Sequence, residues 1–582
     1  MDFFPPVAEQ IFALEHAAGL ARIAEHADFA EATRETVEAV LQGIGVLAAG
    51  EYAPTNRVGD TAGPRWIDGR VEMPAAFHTA YRAFVEGGWG GIAVPTEHGG
   101  MGLPFSLAVA AMESLGTANM GFGLIHLLSF GAIHAIEVYG SDHQKAVWLP
   151  HLVNGRWNGT MNLTEPLAGS DVGALRTRAE QAADEGLWRI RGQKIFITFG
   201  ECDLVENVVH LVLARTNDAP KGTKGISLFL VPKLRLDDQG RPAIPNGVHC
   251  VSIEHKLGIH GSPTCVMAYG EDGEECLGEL VGEIGGGMRA MFVMMNRARL
   301  LVGNQGVQIA ERATQQALAY AHQRIQSARA SDPVSGAVAI IEHPDVRRML
   351  LRMKSLTQAA RALTYACAGA IDMGAAGDDK AAARAEVLTP LAKSWASDIG
   401  CEVASLGIQV HGGMGYIEET GAAQHYRDAR IAPIYEGTNG IQAADLVGRK
   451  LAIADGAAIG DLIEDILAEC GDEPRLDALA RACLEVLAWL KDRPVDDRLA
   501  GSHDFLTMLA VATAGWLMLR QARAAEAGLA GDADNAWLQA KAATTRFFLD
   551  RIVPEALGRK AGAIAGSEGL YSVSTKALIG VQ

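Results

Sequence analysis

Apolar residues recur at helical spacing through most of the chain and at strand spacing only in its middle. Val302, Gly306, Ile309, Ala313, Ala317 and Tyr320 follow one another at steps of four, three, four, four and three, which puts them on one face of a long helix. The same reading predicts helices over about 345–375 and 380–412, and alanine-rich helical segments over 27–50 and 104–138. Leu476, Leu479, Cys483, Leu487 and Leu490 form a further amphipathic stripe near the C-terminus. Between about 159 and 277 the texture changes. Leu187–Thr198, His210–Ala214 and Ile226–Val231 are apolar runs bounded by turn residues, with Pro and Gly clustered at 219–225 and 239–247. They predict an antiparallel all-β insert, with one hairpin turning at Asp184-Glu185-Gly186. Gly285-Gly286-Gly287 marks the return to helix. The expected organisation is mainly α with a central β domain: 1–158 helical, 159–277 β, 278–453 helical and 454–582 an appended helical domain.

A chain of 582 residues is too long for one core. Its 49% hydrophobic and 21% charged content is that of a globular protein. The net charge of −18 disfavours nonspecific binding to nucleic acid or anionic membrane. Eight cysteines, at 202, 250, 265, 276, 367, 401, 470 and 483, form no CxxC pair. They read as reduced thiols in a cytoplasmic setting, with no zinc site expected. The start Met1-Asp2-Phe3-Phe4 has no basic region of a secretory signal. The longest apolar run, Phe505–Leu519, is shorter than a membrane span needs and reads as a buried helix. Glycine patterns at Gly43/Gly45 and Gly88/Gly90 follow no clear strand, so they do not predict a Rossmann site.

Three stretches could carry chemistry. In Pro433-Ile434-Tyr435-Glu436-Gly437-Thr438-Asn439 a single carboxylate stands between apolar residues and a glycine-rich turn. Read locally, a loop carboxylate held by water or backbone amides is the simpler account; a base with a raised pKa in an apolar pocket is the alternative. Met161-Asn162-Leu163-Thr164-Glu165-Pro166-Leu167-Ala168-Gly169-Ser170-Asp171 has the hydroxyls and glycine of a turn, or of a loop whose amides bind a polar ring. Gln409-Val410-His411-Gly412-Gly413-Met414-Gly415 ends a predicted helix, and its glycines suit either a C-cap or a close ligand. His411 lacks partners at metal-ligand spacing and reads as structural.

Taken in order and with their spacing, these stretches resemble the acyl-CoA dehydrogenase family over roughly residues 30–453. Thr164 to Asp171 is similar to the flavin-ring segment, and Lys194-Ile195-Phe196-Ile197-Thr198 to the strand whose aromatic packs on the flavin. Arg299 through Arg324 resembles the helix that begins near the thioester and ends at an arginine gripping the pyrophosphate of FAD on a neighbouring subunit. Gln409 to Gly415 is similar to the pyrophosphate and adenine contact, and Tyr435-Glu436-Gly437-Thr438 to the segment of the catalytic base. The resemblance implies a helical domain, a β-barrel and a four-helix bundle. The phrases Gly225–Lys233 and Lys256–Thr264, with the added tail, narrow it to a long subgroup that includes 3-methylmercaptopropionyl-CoA and some fatty acyl-CoA dehydrogenases. Phe196 stands where many relatives have Trp. After Arg324 the usual Phe-Gly is replaced by Ile325-Gln326-Ser327 and an insertion to about 338. The neighbourhood Asn296-Arg297-Ala298 holds no carboxylate, which favours Glu436 as the base.

What the resemblance implies can be stated residue by residue. Glu436 takes the α-proton of an acyl-CoA, and a hydride leaves the β-carbon for FAD. Met161, Leu163, Thr164, Gly169, Ser170, Phe196, Thr198, Arg324, Gln409, Gly412, Gly413 and Thr438 would contact FAD. Ser170, Arg299, Tyr435 and Gly437 would contact substrate, and no metal takes part. An electron-transfer flavoprotein would take the electrons, and the chain would be a homodimer or a dimer of dimers. Two other readings share the fold: an acyl-CoA oxidase, and a DNA-binding flavoprotein. The tail argues against the second, since residues 454–582 hold 13 Lys/Arg against 19 Asp/Glu, a net −6.

Overall fold

Helices open the chain, and the two most apolar, Phe105–Ala118 and Met120–Tyr139, are buried along most of their length. The computed structural model describes residues 3–184, 186–271 and 273–580. Met1 and Asp2, and Glu185 of the expected hairpin turn, lie outside the described residues. The N-terminal region is not wholly helical: Arg65–Ile67 and Arg70–Glu72 form a small antiparallel hairpin. Five of its six residues are exposed; what marks it in the sequence is Asp68-Gly69, both at positive φ, between Trp66-Ile67 and Arg70-Val71.

The β domain closes into a ring. Arg178–Gln181 pairs with Leu187–Thr198, which pairs with Leu277–Val281, then Ile226–Pro232, then Asn207–Thr216, which pairs back to Arg178–Gln181. The expectation of an all-antiparallel insert is corrected here. Five strands cannot alternate in direction around a closed ring, so at least one pair must run parallel. That pair is Arg178–Gln181 with Asn207–Thr216, joined over only two residues. A second parallel pair adds Trp157–Asn162 beside Asn207–Thr216. Thr264–Tyr269 and Val248–Ile253 extend the sheet antiparallel from Leu187–Thr198.

Three long helices follow, Gly287–Gln323, Pro344–Ala375 and Asp379–His411, close to the spans that the periodicity predicts. Gly306 and Gly400 meet where two of them cross. A Cβ on Gly306 would come within 1.9 Å of the Ala396 carbonyl, so no larger residue permits this approach. A buried charge cluster binds the bundle to the N-terminal helices. Arg361 donates from Nε and Nη2 to Glu113 Oε1 at 2.9 and 2.8 Å and from Nη2 to Glu311 Oε2 at 2.7 Å. Tyr365 donates to the other Glu113 oxygen at 2.7 Å.

The phrase Lys256–Thr264 docks the β domain onto both helical regions. The Ile259 amide donates to Asp428, and Asp60 accepts from Arg427 at 2.7 Å and faces His260 at 3.0 Å. The tail packs on the bundle: Ser502–Leu529 lies against Pro344–Ala375, Asp379–His411 and Asn439–Val447. Lys541 Nζ donates to Glu9 at 3.0 Å, and Arg352 grips Glu555 with two hydrogen bonds of 2.7 and 2.8 Å. The apolar run at 505–519 continues as helix to Leu529, longer than the run alone indicates. Met120–Tyr139 and Ser502–Leu529 are both long and apolar enough to cross a membrane, and both are mostly buried inside the fold.

Candidate active site

The residues singled out in the sequence gather at three places. The first is the end of strand Leu187–Thr198. Glu165 is buried there and accepts from the Arg176 amide at 2.6 Å, the Thr177 amide at 3.0 Å and Lys194 Nζ at 2.8 Å. Lys194 also donates to the Leu163 carbonyl, and the Ile195 amide to the Thr164 carbonyl. These bonds fix the loop after Met161 beside Phe196 and Thr198. Glu165 is a positioning residue that the sequence reading passed over; its place between Thr164 and Pro166 in the matched motif was the available signal. Phe196 adopts φ +61° and is 58% exposed. A large aromatic in the left-handed region, uncovered by its own chain, is unusual on both counts. Leu167 is exposed nearby in sequence, and open space lies beside the Gly169 backbone.

The second place is the loop before helix Asn439–Val447. Thr438 caps that helix through the Ile441 amide, and the Asn439 amide donates back to Pro433. The turn so formed holds Glu436 at φ +56° and Gly437 at φ +85°. Arg299 Nε reaches the Glu436 carbonyl at 3.4 Å, and Tyr435 donates its hydroxyl to Gln305. Glu436 is half-buried as a residue, yet its carboxyl is packed around by protein atoms. Burial pushes its pKa up to about 7, with Arg299 and Lys393 opposing the rise. Lys393, which the sequence reading did not single out, is fully buried on helix Asp379–His411 and donates to Asn439 at 2.9 Å. Its own pKa is pushed down to about 8 by burial, partly offset by Glu436.

The third place joins two helix ends. Tyr320 stacks on His411 with ring centroids 4.4 Å apart, which sets the C-terminal ends of two helices side by side, with Arg324 just beyond one and Gly412 and Gly413 just beyond the other. The insertion after Arg324 folds back on it, and the Ile340 amide donates to the Arg324 carbonyl. Arg324 and Gln409 are exposed, and nothing of the chain fills the space where a Cβ on Gly412 or Gly413 would sit. Met414 and Tyr416 beside them are exposed as well. A flat aromatic ligand suits the face of Phe196, and a diphosphate suits Arg324 with open glycine backbone.

Comparison with known proteins identifies the family. The chain matches the acyl-CoA dehydrogenase N-terminal domain over residues 61–156, the middle domain over 160–270 and the C-terminal domain over 285–451. Residues 472–574 match the acetyl-CoA dehydrogenase C-terminal like domain. The 3-methylmercaptopropionyl-CoA dehydrogenase of Ruegeria pomeroyi is 46% identical over 573 residues, 95% of this chain and 97% of that one. A butyryl-CoA dehydrogenase of Syntrophomonas wolfei is 36% identical over 535 residues, 87% of each chain. Among solved structures, an acyl-CoA dehydrogenase of Bacillus anthracis complexed with FAD shares the fold, with TM-score 0.74 at 22% identity over 96% of this chain and 91% of that one. The chain therefore belongs to the acyl-CoA dehydrogenase family of FAD-dependent oxidoreductases, in the long form that carries a fourth, C-terminal domain.

Proposed function

We propose that the protein converts an acyl-CoA thioester to its trans-2-enoyl-CoA, with Glu436 as the base. The observation that carries this is the left-handed turn that holds Glu436 beside Arg299, with its carboxyl among protein atoms that push its pKa up to about 7. An α-proton of a thioester is weakly acidic, and a solvated carboxylate is too weak a base for it. A desolvated one with a pKa near neutrality is better matched. The Glu436 amide would donate to the thioester carbonyl and stabilise the charge that develops there. Arg299 and Gly437 would line the thioester, Tyr435 the acyl side and Ser170 the outer part of the substrate. FAD, when bound, supplies the acceptor for the β-hydride. Phe196 would pack on its ring, Met161, Leu163, Thr164, Gly169, Ser170, Thr198 and Thr438 would border it, and Arg324, Gln409, Gly412 and Gly413 would hold its pyrophosphate. The uncovered Phe196 ring and the open glycine backbone fit that cofactor.

Arg299 and Arg324 stand 25 residues apart on and at the end of one helix, roughly 37 Å along its axis. A dinucleotide held at Arg324 cannot also reach the base beside Arg299 of the same chain. This supports a homodimer or dimer of dimers in which each site takes Arg324 and Gln409 from a neighbour. The electrons would pass to an electron-transfer flavoprotein. The reading places the enzyme in the cytoplasm with no membrane span and no nucleic-acid partner. It divides the chain at 158, 277 and 453. The substrate is 3-methylmercaptopropionyl-CoA or a fatty acyl-CoA.

The direct test is anaerobic titration of the purified protein with both kinds of thioester. The protein should be yellow, release FAD on denaturation and lose flavin colour on mixing. A colourless protein that FAD does not reconstitute would refute the reading. The pH dependence has a definite sign. Glu436 must be ionised to act, and its raised pKa leaves it mostly protonated below neutrality. Flavin reduction at limiting substrate should therefore rise with pH and level off above about 7. Lys393→Met removes a cation that favours the ionised form, so its curve should lie at higher pH. A profile that stays flat from about pH 5.5 to about 8.5 would discard Glu436 as the titrating base.

A further inference from the structure

The space beyond Tyr435 is nearly closed. A cavity of about 10 Å³ lies among helices Phe105–Ala118, Met120–Tyr139 and Gly287–Gln323, lined by Met112, Gly123, Leu127, Leu301, Gln305 and Gln308. It has room for about one water molecule. The cavity adjoins the base loop through Tyr435, whose hydroxyl donates to Gln305 Oε1. Gln305 stands six residues beyond Arg299 on the same helix, roughly 9 Å along its axis.

The far wall is built, not loosely filled. Gln308 Nε2 donates to the Met112 carbonyl at 3.1 Å. A Cβ on Gly116 would come within 2.0 Å of Gln308 Oε1, so the facing helix yields its side chain to this glutamine. One turn before Gln308, Asn304 Nδ2 donates to the Val109 carbonyl at 2.9 Å. Gln305 is itself buried and has Tyr435 as its partner. Amides in an otherwise apolar wall are costly to leave unpaired, so a ligand that displaces Gln305 loses a hydrogen bond and strands two polar groups.

We infer that the Tyr435–Gln305 pair is the floor of the acyl pocket and makes the enzyme selective for short acyl groups. The inference rests on the proposal that Glu436 faces the acyl α-carbon. A chain that stops at Tyr435 leaves the pair intact. A longer one must push Gln305 into a cavity with space for a single water. Hydrophobic pockets discriminate by about 10–200-fold per methylene gained or lost, so the effect should be large.

The test compares kcat/KM for butyryl-, hexanoyl- and octanoyl-CoA, with flavin content and melting temperature measured for each protein. The wild-type value should fall about tenfold or more from butyryl to octanoyl. In Gln305→Ala the octanoyl-to-butyryl ratio should rise about tenfold or more. In Gln305→Leu, which keeps the bulk, the short preference should remain. A wild-type profile that is flat or rises with length overturns the inference even if Gln305→Ala does not fold. So does an unchanged ratio in a folded, FAD-loaded Gln305→Ala. If the wild type reduces its flavin with every thioester but shows no length preference, the floor is wrong and the dehydrogenation stands. If it is reduced by none, the dehydrogenation reading fails and the floor falls with it.

Discussion

Replacing Glu436 by glutamine should leave a yellow, folded protein that binds acyl-CoA and does not bleach. The amide keeps the shape of the side chain and removes its basicity. Loss of a general base typically costs about 10²–10⁴-fold, and the higher end applies where the proton leaves carbon, which no hydroxyl or water nearby can easily take. The other carboxylates around Arg299, Asp445 and Glu386, are engaged by Arg449 and Lys450. Asn296, Arg297 and Ala298 stand before Arg299, and the groups that tune Glu436 are cations, Arg299 and Lys393. Binding should survive, since most of the substrate's contacts lie outside the carboxyl. Stopped-flow mixing under anaerobic conditions measures the step directly. Reduction at near wild-type rate would move the base elsewhere. Loss of FAD or of the fold would mean that the turn 433–439 needs the carboxylate for its own structure.

Replacing Arg361 by methionine should cause the largest loss of stability of any single change away from the site. The guanidinium is buried and balances Glu113 and Glu311, with Tyr365 on the remaining Glu113 oxygen. Removing one partner of a buried ion pair costs about 3–5 kcal/mol because the other charge stays behind without compensation. Here two carboxylates would remain. Each would titrate at a higher pH in the folded variant than in its unfolded chain. The stability that comes from their protonated forms is present at low pH and lost as pH rises through those folded values. The deficit against wild type should therefore be larger at about pH 8 than at about pH 5. Adding Glu113→Gln and Glu311→Gln to the same chain should recover much of the loss. Thermal melting of the three proteins at both pH values checks this. An Arg361→Met protein that melts with wild type would show that the cluster contributes nothing net.

The helices were legible because their apolar residues recur at helical spacing over long stretches, and the observed bounds Pro344–Ala375 and Asp379–His411 lie within a residue or two of the expectation. The β domain was legible as strands but not as a ring. Alternation along a strand reports which face is buried, and says nothing of which strand lies alongside or in which direction. The hairpin at 65–72 was legible in its Asp68-Gly69 turn, yet its strands of three residues are too short for an alternating apolar pattern to show. The site divides in the same way. Glu436, Phe196 and Arg324 stand in stretches matched by family resemblance. Lys393 and Gln305 acquire meaning only from contacts across 46 and 130 positions of sequence, which no local pattern encodes. The left-handed backbone at Phe196 and Glu436 was equally hidden, since neither residue type announces it.

That shared backbone geometry sets two demands against each other. Left-handed conformation costs a non-glycine residue roughly 1–2 kcal/mol, which glycine does not incur. At positions 196 and 436 the chain keeps an aromatic ring and a carboxylate in spite of that cost. A mutational library screened for folding alone should therefore enrich glycine at both positions, while a library screened for turnover should reject it. Thermostabilisation guided by melting temperature would erode this enzyme first at the two residues proposed to carry its chemistry.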